Sequence, residues 1–282
     1  MRGLHSFHVI VYTNFIIHVA SLYFHMLSWN ARRQVDVVAL LAGLFLVVAF
    51  LVWALVLRTP KSCSDGILNQ NELGVDCGGA CSLVCETEVV PVSTLWSRVF
   101  RVRPGVYSAG SLLENPNISF HVENLRYSFK LYDVDNVLVV ERTGTTFVNA
   151  RERTAIFEGN IQTGERIPVR AFIEIAPPTW TRVVDKVAEP NLVVEEKKLT
   201  LDNKPRLEAT LRNSGVQDYF DIDVVALVSD DNGNVVAMSK TFVNSLLQGG
   251  ARRLTFTWDD QFPSVPSAIS LYPRIDRTKS GI

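Results

Sequence analysis

Arg126-Tyr-Ser-Phe-Lys-Leu-Tyr132 is the stretch that decides the fold, because its polar and apolar residues alternate strictly. In an extended chain Tyr127, Phe129 and Leu131 lie on one side, and the residues between them lie on the other. This period is typical of a β-strand with one face on a core. Similar runs recur along the chain at Thr154–Glu158, Val169–Ile175 and Arg253–Trp258. No long helical period appears after Val89, so we predict an all-β fold for this part of the chain.

An internal repeat extends this pattern over most of the chain. The matching segments are Glu114-Asn-Pro-Asn117 with Arg212-Asn-Ser-Gly215, Asn136-Val-Leu with Asn234-Val-Val, and Thr146-Phe-Val-Asn149 with Thr241-Phe-Val-Asn244. Each copy is long enough for a small β-sandwich. We predict two tandem immunoglobulin- or fibronectin-like sandwiches over residues 89–176 and 191–276. A proline-containing linker over residues 177–190 joins them, and residues 277–282 form a tail.

The first copy carries the motif Phe129-Lys-Leu-Tyr-Asp133. This motif resembles the FxLYD family of bacterial extracellular domains, and the Asn115-Pro-Asn117 turn resembles the related sandwich of late-embryogenesis-abundant proteins. The resemblance implies a sandwich fold outside the cytoplasm and names no ligand. In the second copy the motif is degenerate and reads Leu227-Val-Ser-Asp-Asp231. We expect Phe129 and Leu131 to face the core and Asp133 to open a hairpin, which are structural roles.

Each predicted sandwich is expected to have its own core. Phe129 and Phe157 are assigned to the first core and Phe256 to the second. Because linked domains usually share small and polar contacts, we expect the two sandwiches to unfold independently.

A segment over residues 59–88 precedes the sandwiches, and we call it the stem. It holds all four cysteines of the chain in the spacing C-x13-C-x3-C-x3-C, at Cys63, Cys77, Cys81 and Cys85. Zinc sites favour C-x2-C pairs, which are missing here, so two disulfides are the favoured alternative and a four-thiolate zinc site is the other. The stem has few apolar residues, and covalent cross-links would compensate for its small core. Three disulfide pairings are compatible with the sequence.

The stem resembles a short module of bacterial surface and secreted proteins. Its pattern is C-x-D-G-x-x-N-x-x-E-x-G-x-D-C-G-G-x-C-x-x-x-C, with one more residue before the last cysteine than such modules often have. The resemblance implies a location outside the cytoplasm. Asp65, Asn69, Glu72 and Asp76 have the oxygen ligands and short spacings of calcium loops, although the EF-hand spacing is absent. The alternative is that these side chains cap turns. No other cofactor is indicated.

Val37–Leu57 reads VVALLAGLFLVVAFLVWALVL and contains no charged residue. A helix of this length spans about 31 Å, which matches the hydrocarbon core of a bilayer. We predict a transmembrane helix over residues 35–58 that anchors the chain in a lipid bilayer. Arg32 and Arg33 favour a cytoplasmic N-terminal side, while Arg58 and Lys61 oppose this orientation. The cysteines after the span favour a C-terminal part outside the cytoplasm, because disulfides form and persist there.

Residues 1–34 allow three interpretations. Phe7–Leu27 is apolar but contains several polar residues, so it could form a second span or an interfacial helix. Alternatively, the native chain begins at Met26, which a short basic tail follows. In each case the segment is cytoplasmic or membrane-associated. No small-x-small cleavage site follows the long apolar run, which argues against a cleaved signal peptide.

The composition argues against two classes of function. The formal net charge is −1 and no basic stripe appears, so nucleic acid is an improbable partner. Four of the five histidines precede residue 26, which leaves His121 alone in the C-terminal part. His121 is expected at the surface or in a loop. No nucleophile–base pair or phosphate-binding glycine loop stands out in the sequence, so we predict that the protein is not an enzyme.

The sequence as a whole predicts a single-pass protein of the cytoplasmic membrane, with its C-terminal domains in the periplasm or on the cell surface. Its predicted role is structural or binding, in the envelope of a bacterium. The alternative role is that of an accessory subunit in an envelope secretion or pilus-type assembly. In both cases the expected partner is another envelope protein or polymer.

Overall fold

The computed structural model describes residues 29–54, 62–183 and 189–278. The chain divides into two compact units, Met1–Lys61 and Ser62–Ile282. The three interpretations of Phe7–Leu27 and the start at Met26 concern residues outside the described ranges. The same holds for the end of the predicted span, residues 55–58.

The first unit contains helix α1 (Trp29–Val52). Arg33–Val52 within this helix contain an 18-residue apolar window with a mean hydropathy of 2.8, and none of this window is buried. A core helix of a soluble protein would be mostly buried. The helix is therefore long and apolar enough to cross a membrane, and a signal sequence would have the same properties.

The second unit is all-β. The first copy of the repeat contains β1 (Ser93–Arg103), β2 (Val106–Glu114), β3 (Phe120–Tyr132), β4 (Leu138–Val148), β5 (Arg153–Gln162), β6 (Arg170–Ile175) and the short β7 (Thr181–Arg182). One antiparallel sheet has the order β1-β2-β5 and the other the order β4-β3-β6. Strand β7 pairs with the start of β3. The alternation in Arg126–Tyr132 is confirmed, because Tyr127, Phe129 and Leu131 are buried in the core between the sheets.

The second copy contains β8 (Leu192–Thr200), β9 (Arg206–Asn213), β10 (Tyr219–Asp230), β11 (Val235–Leu246), β12 (Ala251–Thr257) and β13 (Pro266–Arg274). Its sheets have the orders β12-β9-β8 and β11-β10-β13, which repeat the topology of the first copy strand for strand. Phe256 lies in the core between them, as predicted. The chain therefore forms two β-sandwiches behind an N-terminal helix and a disulfide-containing stem.

Two pairs of equivalent polar residues fix the alignment of the copies. Asn115 and Asn213 are both buried, and each side-chain oxygen accepts the N–H two residues further on, at 3.0 and 2.9 Å. Asp133 and Asp230 open equivalent hairpins, and each carboxylate accepts the N–H four residues further on, at 2.9 and 2.8 Å. The second copy of the motif therefore ends at Asp230, one residue before the position that the sequence comparison predicted.

The match of Thr146-Phe-Val with Thr241-Phe-Val does not mark equivalent positions. Thr146 lies opposite Leu125, whereas Thr241 lies opposite Val224. Counted back from the capping aspartates, Val224 corresponds to Tyr127 and not to Leu125. The similarity of these two segments is therefore out of register by two residues, which preserves the side of the strand on which the side chains lie.

A third apolar cluster joins the two sandwiches. Its buried residues are Ala155 from the first sandwich and Val225, Leu227, Val235 and Met238 from the second. Large side chains of both sandwiches surround them: Trp96, Phe100, Leu112, Phe157 and Tyr272. The outer face of β1-β2-β5 thus packs on the outer face of β11-β10-β13, and the four sheets form one stack.

This interface corrects two expectations. The sandwiches share an apolar contact and not a small polar one, and Phe157 lies in that contact and not in the first core. The reason is the alternation of side chains along β5: Ile156 faces the first core, and Phe157, the next residue, faces the opposite side. Gly110 permits the close approach, since a Cβ at this residue would lie 2.1 Å from Sδ of Met238.

The two outermost faces of the stack carry polar residues at the equivalent positions. In the first sandwich, Lys130 and Glu141 replace Leu227 and Met238 of the second, as the strand registers show. In the second sandwich, polar residues likewise replace the apolar residues of the first: Glu208 replaces Gly110, Thr210 replaces Leu112, Arg253 replaces Ala155 and Thr255 replaces Phe157. Such polar outer faces resemble those of the capping units in repeat proteins.

Candidate functional site

The stem is held by two disulfides, Cys63–Cys81 and Cys77–Cys85. All four cysteines are therefore oxidised, as the disulfide alternative predicted, and the zinc alternative is excluded because only thiolates bind zinc. The pairing interleaves the two bonds, so each closes a loop that contains one cysteine of the other. This arrangement holds a segment that has little apolar core.

The predicted calcium ligands in the stem are engaged with backbone N–H groups. Asp76 accepts the N–H groups of Asp65 and Gly66, both at 2.9 Å. Asp65 accepts the N–H of Ile67 at 2.9 Å and the side-chain amide of Asn69 at 2.9 Å. These hydrogen bonds, that of Asn69 foremost, hold the pKa of Asp65 below its ordinary value. This geometry favours the turn-capping interpretation of both aspartates.

Glu72 is the buried carboxylate of the stem. It accepts the N–H groups of Asn69 and Asp76 at 3.2 and 3.3 Å, and its other oxygen lies 3.2 Å from Sγ of Cys81. Glu72, Cys63 and Cys81 place their potential ligand atoms within 4.8 Å of one another. Since both sulfurs belong to one disulfide, this group offers a cation a single carboxylate and no thiolate.

Several contacts fix the stem to the first sandwich. Glu88 accepts a hydrogen bond from Arg182 at 2.6 Å and another from the Cys85 N–H at 3.2 Å. Burial opposes the charged form of Glu88, but Arg182 and this N–H outweigh it, so the pKa of Glu88 lies below its ordinary value. Leu83 of the stem pairs with Thr181 of β7 as an isolated bridge, and just after the stem the side chain of Asn117 exchanges two hydrogen bonds with the backbone of Val90, at 2.8 and 2.7 Å. These contacts hold the stem against the first sandwich.

His121 differs from the expectation that it lies at the surface. It is buried in β3, in the part of this strand that pairs with β7. Neither ring nitrogen has a hydrogen-bond partner among the described residues, and Nε2 lies 3.6 Å from a carboxylate oxygen of Glu123. The sequence could not predict this burial, because the covering strand β7 comes from the proline-containing linker.

A buried charged cluster lies at the joint between the sandwiches. Arg274 of β13 donates to the hydroxyl of Thr146 at 2.7 Å and to the carbonyl of Phe147 at 2.8 Å. It is only 4% exposed, and burial lowers its pKa. Burial also raises the pKa of Glu152, and the charge of Arg274 partly offsets this effect. Asn149 closes the cluster by donating to the carbonyl of Ile275 at 3.0 Å.

A second polar group bridges the two sheets of the first sandwich. The Tyr127 hydroxyl donates to Glu158 at 2.7 Å, and Arg142 donates to the same carboxylate at 3.1 Å. Burial, together with Glu158, raises the pKa of Tyr127. Tyr127 thus ties β3 to β5, and Arg142 ties β4 to the same residue of β5, which are structural roles.

A groove of about 820 Å³ lies beside the joint. Strand β1 contributes residues 97–101, and the start of β6 contributes Arg170, Ala171 and Phe172. The β10–β11 turn and the loop after β12 form the opposite wall, with Asp230, Asn234 and Asp260. The groove could not be predicted from the sequence, because its walls come from both sandwiches and its shape depends on how they pack.

No family model and no curated protein matches the chain. Among solved structures, red sea bream transglutaminase is similar with a TM-score of 0.24 and 11% identity, over 67% of this chain and 30% of that chain. The exo-chitosanase CsxA of Amycolatopsis orientalis gives 0.20 and 14%, over 63% and 26%. A β-glucuronidase from glycoside hydrolase family 2 gives 0.22 and 12%, over 63% and 23%. The chain spans less than a third of each, and likeness at this level supports no inference about activity.

Proposed function

We propose that this chain is a single-pass membrane protein of a bacterial envelope, with the stem and both sandwiches outside the cytoplasmic membrane. One observation carries the proposal: two disulfides follow directly after a helix that is long and apolar enough to span a bilayer. Disulfides persist in oxidising compartments, so the segment that contains them belongs on the outer side. The resemblance of the stem to a module of bacterial surface proteins supports the same side.

The proposed role is structural or binding, without catalysis. The polar groups that could do chemistry in the stem and first sandwich are engaged in holding the fold: Asp65 and Asp76 cap turns, Glu88 fixes the stem, and Glu158 ties two sheets. The apolar contact between the sandwiches and the ion pair between stem and sandwich suit a rigid structural or binding module.

A second candidate role is that of an accessory subunit in an envelope secretion or pilus-type assembly. The groove beside the joint favours it, because it exposes apolar and arginine side chains together. Exposed apolar patches and arginine side chains are both common at surfaces where proteins bind one another. Cross-linking in intact cells followed by native electrophoresis separates the two roles, since a subunit migrates with fixed partners and a lone binder does not.

The location is tested by two reporters fused after Ile282. A phosphatase that folds only after export should be active, and a fluorescent protein that folds only in the cytoplasm should stay dark. The matched control carries Leu44→Lys and Leu46→Lys, which remove the span because each charge at a helix centre costs about 3 kcal/mol. In this control the two signals should exchange. Fluorescence from the unaltered chain would contradict the proposal.

A further inference from the structure

The groove beside the joint contains two sheet edges. Strands β1 and β6 each pair with a single neighbour among the described residues, β2 and β3 respectively. The outward N–H and C=O groups of such edge strands lack a strand partner, so a further strand can pair with them. Both edges line the groove, with residues 97–101 of β1 and residues 170–172 of β6.

The edges in the groove differ from their counterparts in the second sandwich in where they are interrupted. Trp96–Arg101 of β1 pair with Tyr107–Leu112 in unbroken register, between register shifts on either side. The whole of β6 pairs with β3 without a shift. In the second sandwich, β8 has a register shift between Glu195 and Lys198, and β13 contains two prolines. Bulges and prolines protect edges against pairing, so the groove contains a longer unbroken edge in β1 than β8 offers, and an edge without any shift in β6.

We propose that this groove binds an extended segment of another envelope protein, which adds as a strand along β1. The five residues of β1 that line the groove, Ser97–Arg101, lie within an unbroken run and offer about 17 Å of edge, enough for a short strand. Main-chain pairing would supply affinity in this mode, and side chains beside the edge would supply specificity.

The charges of the groove favour an acidic segment. Arg101 is exposed and has no ion-pair partner in the described ranges, and Arg170 makes one long contact of 3.4 Å to the carbonyl of Val134. Arg98 and Asp230 are both engaged with the backbone or side chain of the β10–β11 turn. Asp260 is the remaining lining carboxylate, so the side chains that are free to bind carry net positive charge.

Apolar side chains flank the edge of β6. Phe172 is 56% exposed and packs edge-on against Tyr132, with ring centres 5.7 Å apart. Val169 is also exposed at the mouth of the groove. Phe172 and Arg170 are two residues apart and lie on the same side of β6, so a segment with both apolar and acidic residues would place an apolar residue against Phe172 and a carboxylate near Arg170.

The test uses the purified full chain in detergent and a fluorescent peptide, Thr-Val-Glu-Val-Thr-Val-Glu-Val, with binding followed by anisotropy. A peptide with lysine in place of glutamate is the charge control. The glutamate peptide should bind at least about tenfold more tightly than the lysine peptide, which corresponds to one favourable charge contact. The combined variant Arg101→Glu and Arg170→Glu should reverse this preference.

The matched control variant carries Arg126→Glu and Arg253→Glu, two exposed arginines outside the groove. It should bind like the unaltered chain. Peptides methylated on alternate backbone nitrogens test strand addition, because methylation in one phase should abolish binding and in the other should leave it intact.

Absence of binding by both peptides, equal loss in the control variant, or indifference to methylation in both phases would overturn the inference. The inference rests on the proposed binding role. Because this test needs no cell, failure of the proposed location in the reporter experiment remains distinguishable from failure of the groove.

Discussion

The guanidinium carbon of Arg274 lies 4.6 Å from the centre of the Phe147 ring, across the boundary between the two sandwiches. The residue is almost fully buried, and its hydrogen bonds reach the first sandwich. The aromatic ring and the two hydrogen bonds from one terminal nitrogen stabilise this buried cation. This contact makes the end of the second sandwich part of the packing of the first.

The first prediction concerns this arginine. Arg274→Ala should lower the free energy of unfolding by about 1–3 kcal/mol, because the Thr146 hydroxyl and the Phe147 carbonyl lose their hydrogen-bond donor inside the protein. Denaturant titration measures the loss. The control Arg253→Ala removes an exposed arginine and should change stability by less than about 0.5 kcal/mol. Equal effects of the two substitutions would show that the contacts of Arg274 between the sandwiches contribute nothing to stability.

The second prediction concerns the pH dependence of stability. Burial raises the pKa of Glu152 in the folded chain, so this group keeps its proton in a range where the unfolded chain has lost it. Its contribution is therefore favourable at low pH and is lost as the pH rises from about 4.5 through the raised pKa. Glu152→Gln should remove this component. Subtracting the stability curve of the variant from that of the unaltered chain should give a difference that falls with pH, and a rising difference would contradict the assignment.

The third prediction concerns the stem. Peptide mapping without reduction should recover the pairs Cys63–Cys81 and Cys77–Cys85. Replacing the first pair by serine should destabilise the stem by about 3 kcal/mol and replacing the second by about 2.5 kcal/mol, because the longer loop loses more entropy on closure. Protection of stem amides in hydrogen exchange measures both effects. Recovery of a different pairing would contradict the geometry.

The local features of this fold could be predicted from the sequence. The alternation around Phe129 and Leu131 placed both side chains in the core, because the period of a strand depends only on neighbouring residues. Asp133 opens its hairpin as expected. The spacing of the cysteines indicated disulfides, although it left three pairings open.

Features that depend on packing between distant segments could not be predicted. Phe157 and Leu227 lie on the outer faces of their sheets, and an outer face is buried only because the other sandwich covers it. His121 is buried in the part of β3 that the linker strand β7 covers. One signal was present in the sequence: Val225 and Leu227 are apolar on the face where the first copy has Ser128 and Lys130. Comparing the two copies face by face would have indicated the joint.

Leu227 provides the most direct test of the central claim, that the two sandwiches form one cooperative unit. Leu227→Lys places at the joint the residue that the first sandwich has at the equivalent exposed position, Lys130. We expect a loss of at least about 2–5 kcal/mol, because an apolar contact is removed and a charge is buried. The control Lys130→Leu gives up one exposed ion pair with Glu174, which is worth less than about 1 kcal/mol.

The measurement is calorimetric melting of the full chain in detergent, with both variants. The account predicts a single transition for the stem and both sandwiches, which Leu227→Lys moves as a whole to lower temperature and Lys130→Leu leaves nearly unchanged. Two separate transitions in the unaltered chain, of which Leu227→Lys moves only the second, would contradict it.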